Sequence, residues 1–411
     1  MSLERPRVSA RYRWVVLFVG ALGAGAFSVL RMGLPALSPA LRDAYGLSLP
    51  QVGLLLSAVA LGVMLTLVPW GMLTDRIGER PVLALGLAGT GAAVAAAAFA
   101  PGYPALLAGL LAAGMLGAST TGASGRAVMG WFARDQRGLA LGIRQMALPL
   151  GGAIGSLTLP WIAGEGGVRA ALLSIAGLAF VAAVAAAAWM RDAPPPPPGA
   201  LALAAGPGPT RDPRMWRLGA ASALLVVGQS ALLGFIVLFL HDERGLSAAL
   251  AAGALAALQA AGAAARLVAG RASDVAGARM PLLRRIAVAD ALLLGAVALL
   301  AAGPGALLYP VLAAAGVTAM CWNGLAFTAA AEIAGRTRAG TAVSLQNTIV
   351  AVGGALAPAA FGWFVHATSW SLGYAACAAA PVAAFVVLAP LVGDERARAV
   401  ARERRLAAAG V

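Results

Sequence analysis

Arginine residues inside long apolar segments are the residues of this chain best suited to bind a ligand. The stretch AGAAARLVAGRASD, residues 261–274, is almost entirely Ala and Gly, yet it carries Arg266 in its middle. Arginine stays protonated, and its guanidinium presents N–H donors in a planar fork that matches a carboxylate. A charge deep in a bilayer costs roughly 3 kcal/mol on insertion scales and usually serves a function. Arg266 is therefore a candidate ligand for an anion.

Four arginines lie in predicted apolar segments, and two of them are predicted to lie deeper in the membrane than the other two. At about 1.5 Å per residue, Arg266 lies roughly 12 Å from the predicted cytoplasmic edge, and Arg31 lies equally deep in the outer half. Arg126 and Arg144 lie closer to the inner surface, where snorkelling or a bracing contact explains them. The acidic candidates in these segments are Asp290 and Glu332. The deep arginines therefore form a surplus of positive charge that favours an anionic substrate.

Polar residues of the apolar segments complete the predicted substrate site. Gln259 lies seven residues before Arg266, two helical turns along the same face. The remaining polar candidates could equally form hydrogen bonds between helices. These candidates are Gln145, Gln229, Trp322, Asn323 and Asn347.

Composition indicates an all-α membrane protein. The chain has 411 residues, of which 61% are hydrophobic and 11% charged, and its mean hydropathy is +0.85. Soluble proteins carry about 25% charged residues. The continuous apolar runs favour helices over a β-barrel and suggest about twelve spans. The basic residues, all arginine, do not form one basic domain, so nucleic acid is not expected as a partner.

The predicted spans form two groups of six. A proline-rich segment, 191–214, separates a six-helix bundle at 1–190 from a second bundle at 215–392, and a basic tail follows at 393–411. Proline-rich sequence cannot continue a helix, so it makes a semi-rigid linker. The predicted spans are 14–38, 49–71, 81–99, 105–129, 139–162, 168–190, 215–240, 247–271, 282–302, 306–331, 340–365 and 371–392.

Orientation follows from the arginines of the loops. With the N-terminus inside, 23 of the 30 basic residues lie in inner segments and three in outer loops. Positive loops stay on the cytoplasmic side. We therefore expect a multi-pass protein of the inner (plasma) membrane with both termini in the cytoplasm.

The two halves repeat each other in sequence. Residues 138–163 match residues 340–365 at an offset of 202, and GMLTDRIGER (71–80) matches GRASDVAGAR (270–279) at an offset of 199. DAYGLS (43–48) echoes DERGLS (242–247) at the second offset. Three matches in register favour a duplication, and parallel six-span halves are typical of one large class of transporters.

GMLTDRIGERP (71–81) resembles the signature loop between spans 2 and 3 of the major facilitator superfamily. The resemblance covers the whole chain and implies the major facilitator fold, two pseudo-symmetric six-helix bundles that transport by alternating access. It implies that the loop and its copy hold the two halves together on the cytoplasmic side and release them during alternating access. The alternative is a solvated charged loop that only sets the topology. The residues of this predicted conformational gate are Gly71, Asp75, Arg76, Gly78, Arg80 and Asp274.

The resemblance also places the arginines. In this family spans 1, 4, 7 and 10, with parts of 2, 5, 8 and 11, line the cavity, which puts Arg31 and Arg266 there and leaves Asp290, on span 9, a structural role. The arginine in span 8 resembles one in the oxalate and monocarboxylate branches of the family. The arginine in span 1 resembles one in the cyanate-type and organic-anion branches. The sequence lacks the span-11 lysine of the oxalate branch. It also lacks the acidic residue of that branch four positions before the span-8 arginine, where Gly262 stands. The ALPLGG segment (147–152) matches the drug-antiporter motif only weakly, so its glycines are expected to pack helices.

The leading hypothesis is a monomeric carrier of a small anionic substrate in the lipid bilayer, with no cofactor, no metal and no enzymatic activity. Because no cavity span carries a mid-membrane carboxylate, we expect anion exchange, or symport with the proton on the substrate or on a peripheral group such as Glu332. An exporter of drugs or hydrophobic compounds, driven by proton antiport, is the alternative among transporters. A non-transporting membrane receptor is the alternative of another class.

Overall fold

The computed structural model describes residues 11–132, 136–192, 208–334 and 338–408, and all regular elements in these ranges are helical. In lipid a helix satisfies the backbone hydrogen bonds within one segment, which suits the long Ala-, Leu- and Gly-rich runs. The α-helices are α1 (Tyr12–Gly33), α2 (Ser38–Tyr45), α3 (Leu49–Ile77), α4 (Glu79–Ala97), α5 (Tyr103–Gly117), α6 (Ser119–Trp131), α7 (Arg137–Trp189), α8 (Pro213–Leu238), α9 (Ala248–Ala276), α10 (Met280–Leu300), α11 (Gly305–Ala334), α12 (Ala339–Ala367) and α13 (Trp370–Ala408).

Twelve membrane crossings fit these helices. Ten segments of the described residues are long and apolar enough to cross a membrane. One of them belongs to α7, whose 53 residues are far longer than one crossing needs and are broken at Gly167, where φ is 72°, so α7 supplies two crossings. The 21 residues of α10 supply the remaining one, although they carry Arg284, Arg285 and Asp290. The prediction of an all-helical, twelve-span membrane protein is confirmed.

The first compact unit comprises residues 1–40 and 61–198. Its helices α1 and α4 both pack on α7, and their buried contacts include Val19, Leu83 and Leu87. Glycine allows α1 and α7 to approach closely, since a Cβ atom on Gly151 would overlap the carbonyl oxygen of Gly25. The expectation that the glycines of residues 147–152 serve helix packing is confirmed at Gly151.

The second compact unit comprises residues 41–60 and 199–411. Here α13 packs on α8 and α10, α12 packs on α8, and α9 packs on α11. Trp322 lies fully buried in the core, beside α8 and α10 residues such as Leu225 and Leu283. Gly353, the repeat counterpart of Gly151, approaches α8 so closely that a Cβ atom would lie 2.5 Å from a backbone oxygen. Most of the predicted linker falls on residues 193–207, outside the described ranges, so the division of the chain at 191–214 stays a prediction.

Candidate functional site

Among the described residues, the guanidinium of Arg266 forms one hydrogen bond, and its other donor groups remain unused. It projects from α9, and its Nε–H donates a 2.8 Å hydrogen bond to the carbonyl oxygen of Met320 on α11. The side chain is half-buried, and no carboxylate of the described residues forms an ion pair with it. Because Nε is engaged, the Nη1 and Nη2 edge is the part of the guanidinium that can receive an anion.

Arg31 lies on α1 in the first unit, near the C-terminal end of that helix. The residue is exposed, although its neighbours Leu30 and Gly33 are buried. Within the described part of the chain its guanidinium forms no hydrogen bond or ion pair. Each unit therefore carries one deep arginine whose charge is not neutralised by a carboxylate of that unit.

Most polar candidates of the second unit are either hydrogen-bonded to each other or buried. The Nδ2 of Asn323 donates to the Oε1 of Gln229 at 3.1 Å, which joins α11 to α8. Gln259 is 2% exposed and Trp322 is fully buried, so neither reaches a ligand without movement of its neighbours. Asn347 is half-buried and forms no hydrogen bond with another described residue. No measured contact tests these side chains as ligands, and their substrate role stays a prediction.

Gln145 is committed to a brace between α7 and α6. Arg144, beside it, is buried; its Nη1 donates to Gln145 at 2.9 Å and its Nε to the hydroxyl of Ser124 at 2.8 Å. The Nη2 group donates to the carbonyl oxygens of Thr120 and Thr121 at 3.4 and 3.2 Å. Hydrogen bonding of the whole guanidinium explains how α7 tolerates this charge.

The signature loop of the first unit is tied to α6 and to the end of α7. Arg126 on α6 forms an ion pair with Asp75 and a 3.0 Å contact with Glu79. Gly78, at φ 92°, ends α3 and lets the chain pass Asp192, whose carboxylate would lie 2.5 Å from a Cβ atom there. Glycine is favoured at such an angle.

Asp192 also accepts the backbone N–H of Arg80 at 2.9 Å, so it caps the start of α4. The guanidinium of Arg80 donates to the carbonyl oxygen of Ala187 at 2.8 Å. In contrast, a Cβ atom added at Gly71 would meet no atom within 4 Å, so no close contact requires glycine there. Sequence reasoning missed the partners Glu79 and Asp192. Gly78 ends α3 between Asp75 and Glu79, so helical spacing gave no signal for the shared contact with Arg126.

In the first copy of the loop an acidic residue, Asp75, pairs with an arginine on a neighbouring helix. In the second copy an arginine of the loop pairs with an acidic residue on a neighbouring helix. Arg279 lies in the loop and contacts Asp274 at 2.5 Å and Glu332 on α11 at 3.1 Å. Partial burial lowers the pKa of Arg279, but its hydrogen bonds and charge interactions with Glu332 and Asp274 outweigh this and raise the pKa above its usual value. Glu395 accepts the N–H groups of Arg279 and Met280 at 2.8 and 3.0 Å, as Asp192 does in the first unit.

Long helices, repeated halves and charged loops bound to helix ends together define a polytopic membrane transporter. A family model described as the Major Facilitator Superfamily matches residues 14–358. The chain is also similar to uncharacterised MFS-type transporters from two strains of Mycobacterium tuberculosis. Each is 37% identical over 395 residues, which cover 95% of this chain and 87% of the relative. The chain belongs to the Major Facilitator Superfamily.

Solved structures agree on the fold. A bacterial homologue of the human lysosomal transporter Spinster, in an inward-facing and unoccupied conformation, matches with a TM-score of 0.74. It is 18% identical, and the match covers 94% of this chain and 97% of that chain. The inward-facing, occupied form matches with a TM-score of 0.72 at the same identity. These structures support the fold, and the family match and the 37% identical relatives show that the protein is a membrane transporter of the major facilitator type and not an enzyme.

Proposed function

We propose that this protein is a secondary active transporter that moves a small organic anion, a carboxylate, across the plasma membrane by alternating access. One observation carries the proposal. Arg31 and Arg266 lie in membrane-spanning helices, and no carboxylate of the described residues forms a hydrogen bond or an ion pair with either one. A bound anion would supply the missing negative charge.

The geometry of Arg266 supports a carboxylate in particular. The hydrogen bond from Nε–H to Met320 engages one donor of the guanidinium, and neither Nη group has a hydrogen-bond partner among the described residues. Two parallel N–H donors fit the two oxygens of one carboxylate, and charge-assisted bonds of this kind are roughly twice as strong as neutral ones. We therefore assign Arg266 as the main anion ligand and Arg31 as a second positive charge.

The experiment is uptake by purified protein in liposomes. The panel contains radiolabelled oxalate, malonate, succinate and lactate, and each is tested with the natural protein, Arg266→Ala and the matched control Arg217→Ala. Arg217 is exposed near the start of α8, so its variant removes one arginine without touching the deep segment.

We expect at least one carboxylate to be transported, and we expect Arg266→Ala to lose binding by on the order of 2–5 kcal/mol. The control should transport at the natural rate. Wild-type transport by Arg266→Ala protein would contradict the proposal at its centre.

An exporter of hydrophobic compounds is the second candidate, and one observation favours it. A groove of about 460 Å³ lies between α3 and α5 in the first unit, with an almost entirely apolar lining that includes Pro69 and Leu116. Its polar side chains, Thr66 and Trp70, both donate to the carbonyl oxygen of Met115 at 2.6 and 2.7 Å. Efflux of a lipophilic dye from the same liposomes, with no transport of any carboxylate, would favour the exporter.

We further propose an orientation with both termini in the cytoplasm and a monomeric carrier. A membrane-impermeant maleimide tests the orientation in whole cells. It should label Arg169→Cys, which follows the break in α7 at Gly167 and is predicted to lie at the outer surface, and should label Arg217→Cys only after the cells are permeabilised. The reverse pattern would show that the arginine count of the loops does not set the topology of this chain.

A further inference from the structure

One end of the first unit carries two arginines that lie against aromatic rings. At this end α1 begins, while α6 and α7 end. The Cζ atom of Arg191, just after α7, lies 4.5 Å from the centre of the Tyr12 ring. The Cζ atom of Arg13 lies 5.8 and 5.6 Å from the ring centres of Trp14 and Phe132. Guanidinium groups are attracted to aromatic faces, so these rings position both charges.

The ring beneath Arg191 is itself held by hydrogen bonds that connect α1, α6 and the end of α7. The hydroxyl of Tyr12 donates to the carbonyl oxygen of Trp189 at 2.8 Å. The Nε1 of Trp131 donates to the carbonyl oxygen of Arg191 at 3.0 Å, and the rings of Tyr12 and Trp131 lie 6.0 Å apart. A charged group that is already held in place loses less conformational entropy when it binds a ligand.

Neither arginine forms an ion pair with a described residue. Arg191 is exposed, and its guanidinium donates no hydrogen bond within the described ranges. Arg13 donates from Nη1 to the neutral Oε1 of Gln136 at 2.7 Å, and its Nε is a buried donor without a partner there. The adjacent acid, Asp192, is exposed and accepts the backbone N–H of Arg80 at 2.9 Å. This end of the unit therefore keeps unused N–H donors.

The start of α8, in the second unit, differs although it also carries arginine and tryptophan. Trp216 is 50% exposed, and its Nε1 donates to the carbonyl oxygen of Thr210 at 2.8 Å. Arg214 forms an ion pair with Asp212 at 2.6 Å, so a carboxylate of the protein already neutralises it. Arginines without a carboxylate partner are therefore not a general feature of helix starts in this chain.

Exposed apolar side chains lie on the same helices as the two arginines. On α1, Trp14 is 44% exposed and Phe18 is 67% exposed, and at the end of α7 Trp189 is 56% exposed. Trp14 and Phe18 are four residues apart, so they lie on one face of α1. Tryptophan is typical of the headgroup level of a membrane, and Phe18 lies one turn further along the span. Positive charge and apolar surface together match the two parts of a phospholipid.

We propose that this end of the first unit, formed by Tyr12, Arg13, Trp14, Trp189 and Arg191, binds the headgroup of an anionic phospholipid. The unused N–H donors supply charge-assisted hydrogen bonds to phosphate oxygens, and the exposed apolar side chains of α1 contact the acyl chains. A zwitterionic headgroup carries its own cation, which the arginines repel, so an anionic headgroup is preferred. Anionic lipids are abundant on the cytoplasmic side of membranes, where basic pockets between helices bind them.

Thermal unfolding of the full chain in detergent tests the lipid site without any transport. Dioctanoyl phosphatidylglycerol is titrated and compared with dioctanoyl phosphatidylcholine, which has the same acyl chains and no net charge. A ligand that binds the folded protein alone raises the melting temperature as its concentration rises. We expect the anionic lipid to raise the melting temperature until the site is saturated, and the zwitterionic lipid to raise it far less. Equal shifts would overturn the proposal.

Variants locate the site on the molecule. Arg191→Gln removes a guanidinium from an exposed position, so the protein should fold normally and its Kd for phosphatidylglycerol should rise about tenfold. Tyr12→Leu keeps both charges but removes the ring and the hydrogen bond to Trp189, so the Kd should rise by a smaller factor. The matched control Arg217→Gln, exposed near the start of α8, should bind as tightly as the natural protein. Equal losses in Arg191→Gln and Arg217→Gln would overturn the site, because any surface arginine would then contribute.

Inorganic phosphate separates a lipid site from a site for a free anion. At the same concentrations it should shift the melting temperature much less than phosphatidylglycerol, because it has no acyl chains to contact Trp14 and Phe18. A phosphate shift as large as the lipid shift, and lost in Arg191→Gln, would overturn the lipid assignment. None of these measurements depends on which substrate the carrier transports, so the proposed function and the lipid site can fail separately.

Discussion

Two arginines of the membrane-spanning helices are stabilised in different ways. Arg144 is buried and donates to three residues of α6 and to Gln145, whereas Arg266 donates one hydrogen bond and keeps its Nη edge open. A charge that is fully hydrogen-bonded within the protein serves structure, and a charge with unused donors is available to a ligand.

The first prediction at the residue scale concerns Arg144. Arg144→Ala removes the brace between α6 and α7 and leaves the Ser124 hydroxyl and the carbonyl oxygens with poorer partners, so stability should fall by about 1–3 kcal/mol. Thermal unfolding in detergent measures the loss, and Arg266→Ala is the comparison. Equal melting temperatures for the two variants would show that the α6 contacts of Arg144 contribute nothing.

The second residue prediction concerns Arg266→Lys. Lysine keeps the charge, but its ammonium has no planar fork and cannot donate to Met320 and to a carboxylate in the same fixed geometry. The Kd for the transported carboxylate should rise roughly tenfold to a hundredfold, which is about 1.4–2.8 kcal/mol. Binding by the lysine variant as tight as that of the natural protein would show that charge alone, without fork geometry, holds the anion.

The candidate site was predictable in part. The deep arginines could be identified from the sequence, because a charged residue inside an apolar run is recognisable without knowledge of the fold. The pairs that occupy Gln229 and Gln145 were not visible, since Asn323 lies 94 residues from Gln229 and a hydrogen bond across that separation depends on tertiary packing. Sequence alone therefore proposes more polar ligands than the contacts leave free.

At the scale of elements, glycine positions decide which helices touch. Gly353 and Gly354 are adjacent in α12, but an added Cβ atom would lie 2.5 Å from the Ala223 carbonyl oxygen at Gly353 and no closer than 3.8 Å to any atom at Gly354. Gly353→Ala should therefore cost roughly 1–3 kcal/mol by overpacking α8. Gly354→Ala should be neutral or stabilise α12 by up to about 1 kcal/mol, because alanine is the better helix former.

Thermal unfolding of the two alanine variants, side by side, measures this difference. A lower melting temperature for Gly354→Ala than for Gly353→Ala would mean that the approach of α12 to α8 is not as described.

The signature loop gives the second prediction at this scale. Asp75→Asn breaks the ion pair with Arg126 while Glu79 still contacts that arginine, so the loop is weakened and not removed. Since Asp75 lies in the signature loop of the first unit and Arg266 on a helix of the second, we expect a several-fold lower turnover and an unchanged Kd for the carboxylate. Separate measurements of binding and of transport rate decide this, and a large loss of binding with natural turnover would contradict the gate role.

Most of the helices could be predicted from hydropathy, because the loops are short and the apolar runs are continuous. Two features could not. The break in α7 falls between the predicted spans 139–162 and 168–190, but the positive φ angle at Gly167, the second of two adjacent glycines, was not predicted. The acids that cap α4 and α10, Asp192 and Glu395, lie 112 and 116 residues from Arg80 and Arg279, whose N–H groups they bind. Such long-range contacts depend on how the chain folds back on itself.

At the scale of the whole molecule, the proposed binding of an anion at Arg266 predicts that the empty and the loaded carrier differ in charge. Arg266 cannot release its proton, so in the proposed function the empty carrier keeps a positive charge that a bound carboxylate would offset. Reorientation of the loaded carrier should therefore be easier than reorientation of the empty carrier. Exchange, in which the carrier returns loaded, avoids the slower step.

The last prediction follows from this asymmetry. Liposomes are loaded with radiolabelled oxalate, and efflux is measured at equal pH on both sides into buffer with or without unlabelled oxalate. External oxalate should speed efflux several-fold, and the stimulation should disappear in Arg266→Ala, which binds the anion poorly, but not in Arg217→Ala. Equal efflux with and without external anion would mean that the empty site crosses as readily as the loaded one, and the arginine charges would then not limit the cycle.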